Sequence, residues 1–257
     1  AANIFGVQNV VDAAFACQVE KVLFTSSDKA VNPFNVMGTS KLMGERLVTA
    51  AELSRKSNDP NFSVTRFGNV LGSRGSVIPV FKKQIEQGGP VTITDNDMTR
   101  FIMTLDQSVD LVLESAILSQ GGEVFITKMP AINITDLAHV MIEYLAPQYG
   151  YKPEDIEIET IGARTGEKLY EELMNEEECR RAYESSEFFI ITPALDKERS
   201  YEKYTYPDMP VVKAKMPYNS SNVQLMSREE LASYLVRNNL IDEADSFHKK
   251  PELRRVV

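Results

Sequence analysis

Cysteine is scarce. The 257 residues hold two, Cys17 and Cys179, too few for a disulfide framework and without the spacing of zinc ligands, so a reducing compartment, the cytoplasm, is expected. Histidine is as rare: His139 falls on a helical face and His248 in the tail, neither reads as a ligand, and no metal is expected. No apolar run reaches the ~18–20 residues of a bilayer span, and the opening residues lack a basic stretch followed by an apolar one. The polypeptide is therefore expected to be soluble. Basic residues fall short of acidic ones, 28 against 37, and the net charge of -9 disfavours a nucleic-acid partner held by phosphate neutralisation. Internal repeats and low-complexity tracts are missing as well.

What is present points to one large α/β domain, or one domain with a smaller lobe, since 43% of residues are hydrophobic and 25% charged. The organising stretch is Phe24 to Lys41, F-T-S-S-D-K-A-V-N-P-F-N-V-M-G-T-S-K. An apolar strand, Lys21 to Thr25, ends in two hydroxyls, an acid and a base; Pro33 then breaks regular structure, and helical spacing resumes from Asn35 to Ala51. Met37 and Lys41 share a face of that helix. An open α/β sheet presents reactive groups in this way, at the carboxyl end of a strand.

The remaining elements follow from periodicity. Ala1 to Cys17 reads as an amphipathic helix, and a helix at the first residue suggests a chain that begins mid-domain. Phe62 to Phe67 is a strand leading to a loop with Gly68, Gly72 and Gly75, then a helix over Ser76 to Gln87: the β-then-α order of a doubly wound sheet. Strands are expected over Val91 to Thr94, Arg100 to Leu105, Glu123 to Thr127, Asp155 to Ile161 and Phe188 to Thr192. Helices are expected over Asp106 to Leu118, capped by Asp106, over Ile134 to Tyr144 with Thr135 or Asp136 near its start, and over Gly166 to Met174. Asp196 to Asn222 lacks a period and reads as a surface arm, Ser227 to Glu230 offers a capping box, and the tail after His248 should fray.

Five stretches stand in order: G-V-Q-N-V-V-D-A-A from Gly6, S-S-D-K-A-V-N-P-x-N-x-M-G-x-S-K from Ser26, R-F-G-N-V-L-G-S-R-G-S-V-I-P from Arg66, T-R-F-I-M-T-L-D-Q from Thr99, and G-E-K-L-Y-E-E-L from Gly166. Through them residues 5–192 resemble the carboxyl-terminal two thirds of an extended short-chain dehydrogenase/reductase, in the CapD-like polysaccharide biosynthesis branch of nucleotide-sugar 4,6-dehydratases. The resemblance implies a Rossmann-like α/β fold, a doubly wound parallel sheet for NADP or NAD with a small mixed α/β lobe for a UDP-sugar. Residues 1–130 would be the C-terminal part of the cofactor domain, with catalytic residues and some lobe insertions; 131–195 would be the lobe, and 196–257 an arm and helix.

Such enzymes oxidise C4 of the hexose, lose water across C5 and C6, and return the hydride to C6. By position, Ser27 matches the hydroxyl that binds the C4 oxygen, Asp28 the acid that protonates the departing C6 hydroxyl, and Lys29 the base that removes the C5 proton. Ser26, Lys41, Gly68 and Asn69 would border the cofactor, and Asn69 would also contact the sugar, its flanking glycines letting a ligand approach the backbone. Arg74, Arg100 and Arg164 are the diphosphate candidates, Arg100 and Arg164 the better matched. Glu167 matches an acid near the nucleotide ribose, although a first-turn glutamate is also what a helix dipole favours. As a base, Lys29 needs its value of about 10.4 lowered toward ~7–8, for which Lys41 could supply the neighbouring cation; Asp28 needs the opposite shift. Met37 is a departure, since the superfamily usually carries Tyr-x-x-x-Lys and Met takes no proton, so the C4 base falls to Asp28 or Lys29.

No strand followed by G-x-x-G-x-x-G is found, the turn that brings backbone to a cofactor pyrophosphate. The expectation is that roughly a hundred residues precede this piece, that the piece alone is inactive, and that the whole protein is a homo-oligomer. A 4-epimerase, which needs no C5 base, and a non-catalytic fragment stand as alternatives.

Overall fold

The computed structural model describes residues 2–73, 75–163, 165–194, 204, 206 and 209–241. A π-helical turn, Ala2–Gly6, runs into helix α1 (Val7–Cys17), strand β1 (Lys21–Ser27) and a 3-10 turn, Asp28–Ala30. Next come α2 (Val36–Ser54), β2 (Asn61–Phe67), β3 (Asn69–Val70), α3 (Val77–Glu86), β4 (Val91–Ile93), β5 (Thr99–Met103) and α4 (Leu105–Leu118). The chain continues through β6 (Val124–Thr127), β7 (Ala131–Asn133), α5 (Ile134–Leu145), β8 (Ile158–Thr160) and β9 (Glu172–Met174). It closes with α6 (Glu176–Cys179), β10 (Ala182–Glu184), β11 (Phe188–Ile191), β12 (Val212–Lys213), β13 (Tyr218–Asn219) and α7 (Arg228–Arg237).

The main sheet has the order β1-β2-β6-β11-β10-β12. Its first three strands are parallel, with β1 in register with β2 from Lys21 opposite Asn61 to Ser27 opposite Phe67. β11, β10 and β12 extend it antiparallel. Helices α2 and α4 pack on β1 and β2. This is the expected α/β doubly wound arrangement with a mixed edge, and its carboxyl end at β1 holds the S-S-D-K stretch.

Several local expectations need correction. The helix expected over Gly166 to Met174 does not form: the segment runs in turns and ends in β9, paired with β13. The Leu169 carbonyl accepts from Thr99 N (2.9 Å) and the Lys168 carbonyl from the Arg100 side chain (2.9 Å), so β5 captures acceptors that a helix would have used internally. The cap of α4 is Thr104, not Asp106, in a capping box with Gln107; Asn133 caps α5, ahead of Thr135 and Asp136. The strand expected over Asp155 to Ile161 shrinks to β8, because a 3-10 turn with Pro153 at its start takes Pro153–Asp155. The supposed surface arm is woven in where it is described: Tyr204 and Tyr206 are buried, β12 joins the main sheet, and β13 pairs with β9. The expected frayed tail after His248 lies outside the described residues.

Two cores result. One gathers Phe62 and Val64, Phe125 and Ile126, Ile190 and Ile191, Leu173 and Met174, and Tyr218. The other joins α3, β4, α5 and α7 through Ile85, Val91, Leu137, Met141, Leu231 and Leu235. They interleave along the chain, because antiparallel strands from the 180s and 210s complete the first sheet. Between the cores, β3, β5 and β7 form a three-stranded sheet that forms one wall of the site.

Candidate active site

The site begins where β1 runs out. Ser27 caps the 3-10 turn, its Oγ accepting from Lys29 N (3.1 Å) and donating to Asp28 Oδ1 (2.5 Å). Lys29 N also donates to Asp28 Oδ1 (2.9 Å), and Lys29 Nζ reaches both carboxylate oxygens at 3.0 and 3.2 Å. Asn35 caps α2 by accepting from Gly38 N, which seats the helix against the turn. A Cβ on Gly38 would overlap the Lys29 carbonyl oxygen, so this close approach requires glycine.

Facing the turn is Glu171, in the segment before β9. Its Oε2 accepts from Asn69 Nδ2 (2.6 Å), and its Oε1 lies 3.5 Å from Lys29 Nζ and 3.4 Å from Arg100 Nε. Arg100 also donates to the carbonyls of Thr99, Lys168 and Leu169 and stands 3.8 Å from Glu167. Asp28, Lys29, Asn69, Arg100, Glu167 and Glu171 line a cleft of about 350 Å³. A second cleft of about 340 Å³ shares Asn69, Arg100 and Glu167 and continues over Val77, Phe81 and Ile93.

The charges are not distributed as the assigned roles require. Burial pushes the Asp28 carboxyl up, but hydrogen bonding from Glu171, the Lys29 charge and the Ser27 hydroxyl outweigh it and hold Asp28 below its ordinary value. Burial pushes Lys29 down, yet the carboxylates of Glu171 and Asp28 outweigh it and raise Lys29 instead of lowering it. The raised carboxyl is Glu171, pushed up to about 8 by burial and by the adjacent Asp28. In this state the site holds an ionised Asp28 and an ammonium on Lys29, the reverse of the expectation for both.

Of the candidate residues, the fold brings Asp28, Lys29, Asn69, Arg100 and Glu167 to one cleft and puts Ser27 at the end of β1, capping the turn. Lys41 lies outside the lining: its Nζ donates to Thr25 O (3.1 Å) and sits over the Phe24 ring, while the cation that presses Lys29 downward is Arg100. Met37 is exposed on α2. Gly68 makes room for Phe101, which a Cβ would approach to 2.7 Å. Arg74 and Arg164 lie outside the described residues. Glu171 escaped the sequence reading; the only signal was its place in G-E-K-L-Y-E-E-L, where Glu167 drew the attention.

The model of a family described as polysaccharide biosynthesis protein matches residues 1–193. The chain is 40% identical over 233 residues to a UDP-N-acetylglucosamine 4,6-dehydratase (inverting) of Campylobacter jejuni, covering 89% of this chain and 66% of that protein. It is 39% identical over 241 residues to a UDP-glucose 4-epimerase of Rickettsia canadensis, covering 94% of this chain and 68% of that protein. The solved structure of Pen from Bacillus thuringiensis superposes with a TM-score of 0.82 at 45% identity, covering 93% of this chain and 69% of that one. The chain thus spans about two thirds of the length of these relatives.

Proposed function

The chain belongs to the family of polysaccharide biosynthesis proteins, and we propose that within it the protein is a nucleotide-sugar 4,6-dehydratase acting on UDP-N-acetylglucosamine. The observation that carries this reading is the adjacent Asp28–Lys29 pair, held at 3.0 Å on a cleft that Asn69, Arg100 and Glu167 also line. Dehydration across C5 and C6 needs both an acid and a base, and this pair supplies both at one point. A cytoplasmic place in surface polysaccharide synthesis goes with the reading. Among the described residues no helix is long and apolar enough to cross a membrane.

The residues at the mouth of β1 fit the nicotinamide-ribose end of NADP or NAD. Ser26 Oγ is buried with no hydrogen-bond partner among the described residues, and the half-buried Lys41 is beside it in the fold, its ammonium on the Thr25 carbonyl. When bound, the cofactor supplies reversible two-electron oxidation at C4. Ser27 then binds the C4 oxygen, and with Met37 unable to take a proton, Asp28 or Lys29 accepts that of the C4 hydroxyl. The ketone makes the C5 proton acidic; Lys29 removes it and Asp28 protonates the departing C6 hydroxyl. Arg100, with Arg74 and Arg164, would hold the diphosphate, and Glu167 the ribose side.

In deuterated water, with UDP-N-acetylglucosamine and NADP or NAD, the expected product is a 4-keto-6-deoxy sugar carrying deuterium at C5, read by NMR and mass spectrometry. Lys29→Ala should slow its formation by about 10²-fold or more. The epimerase-named relative favours a second reading, 4-epimerisation. That reading gains if a fully hydroxylated C4 epimer accumulates without deuterium at C5.

A further inference from the structure

The assigned roles leave two ionisable members of the cleft unused, Lys168 and Glu171. Glu171 is 6% exposed, and its position is set by neutral donors and acceptors: Asn69 on its Oε2, and Ser220 Oγ accepting its backbone N–H at 2.9 Å. The charged groups around it are Asp28 and Lys29 from the turn after β1, Arg100 from β5, and Glu167, Lys168 and Glu172 from its own segment. Lys168 and Glu172 pair with each other at 3.2 Å, and Glu167 sits toward Arg100. Lys29 Nζ therefore has two carboxyls within ion-pair distance, Asp28 and Glu171.

The proposed chemistry needs Lys29 neutral and Asp28 protonated. With Asp28 taking the proton of the C4 hydroxyl, Lys29 must give its own up to solvent before it can take the C5 proton. That release breaks one N–H bond and leaves a neutral amine 3.0 Å from Asp28 Oδ1. A negative charge 3.5 Å from Lys29 Nζ opposes that release because it stabilises the ammonium; a neutral carboxyl in the same place does not.

Building on the dehydratase reading, we propose that Glu171 is a positioning residue that acts through Lys29. As a neutral acid it lets Lys29 release its proton, and as a carboxylate it holds Lys29 as the ammonium. Burial and the neighbouring Asp28 bring the changeover to about pH 8, so both forms are reached under ordinary conditions. Arg100, 3.4 Å from Glu171, limits how far that changeover climbs and presses Lys29 the other way.

The test reads Lys29 directly. Lysines are dimethylated with ¹³C-formaldehyde, the Lys29 resonance is assigned by its loss in Lys29→Arg, and it is titrated by NMR in wild type and in Glu171→Gln. The midpoint should fall by about one pH unit or more in Glu171→Gln; equal midpoints overturn the inference. In turnover, wild-type kcat/KM should decline as pH passes about 8, and Glu171→Gln should lose that decline. A purely structural Glu171 would lower activity alike at every pH, which also overturns it. If Glu171→Gln does not fold, a wild-type profile that stays flat through that pH suffices to reject the proposal. Failure of the dehydratase reading shows differently: the Lys29 midpoint shifts as expected, supporting the coupling, while no dehydrated sugar forms.

Discussion

Gly38 holds the reactive turn to the helix behind it. Alanine at this helical position would ordinarily gain about 1 kcal/mol in propensity. Here its Cβ would overlap the backbone oxygen of Lys29 and meet Pro33 Cβ at 3.1 Å, and neither neighbour is the end of a flexible side chain. The clash should win. Gly38→Ala is expected to lose about 1–3 kcal/mol in urea unfolding and to lose turnover as well, since relief must move the Lys29 backbone. Asp28 and Lys29 were legible in the sequence because they follow an apolar run directly, where a parallel sheet exposes its strand ends. Their protonation was not legible, because it depends on Glu171 and Arg100, about 140 and 70 residues away in sequence, which no local pattern ties to them.

At the scale of elements, Arg66 locks β2 to α2 and α6. It is 1% exposed and grips Glu45 at 2.8 and 2.6 Å, Glu178 at 2.9 and 2.7 Å, and the Leu173 carbonyl at 3.0 Å. Arg66→Met would leave two carboxylates buried without a cation and should cost about 3–5 kcal/mol. Glu178→Gln keeps one ion pair and should cost less, about 1–3 kcal/mol. Burial pushes Glu178 up, but the Arg66 charge outweighs it and holds the group below its ordinary value. A lowered folded value means that its contribution is full above the unfolded value and is lost as pH falls through the folded one. Acid unfolding should therefore be less steep in Glu178→Gln than in wild type. Most elements could be read from periodicity, whereas the 166–174 segment could not, because its acceptors are taken by β5.

For the whole molecule, the family match ends at residue 193 but the packing does not. Beyond it, Tyr204, Tyr206 and Tyr218 enter the first core, and Leu231, Leu235 and Ile241 enter the second. Tyr218 stacks on Phe101 and Phe189 at 4.6 and 4.7 Å and bridges both backbone groups of Met129. Tyr206 donates to Glu123, and Arg228 pairs with Asp136 at 2.6 Å. Sequence periodicity recorded only the helix after Ser227, because an aromatic residue that inserts alone into a distant core has no period to detect. At about 1.5–3 kcal/mol for each buried side chain of this size, these six residues amount to about 9–18 kcal/mol, comparable with the ~5–15 kcal/mol that stabilises a whole domain. A chain ending at residue 193 should therefore fail to fold cooperatively even though it contains every residue of the candidate site. Loss of the near-UV circular dichroism signal and of the thermal transition would show it. A sharp transition near that of the 257-residue chain would instead make the later segments an attachment to a self-sufficient core.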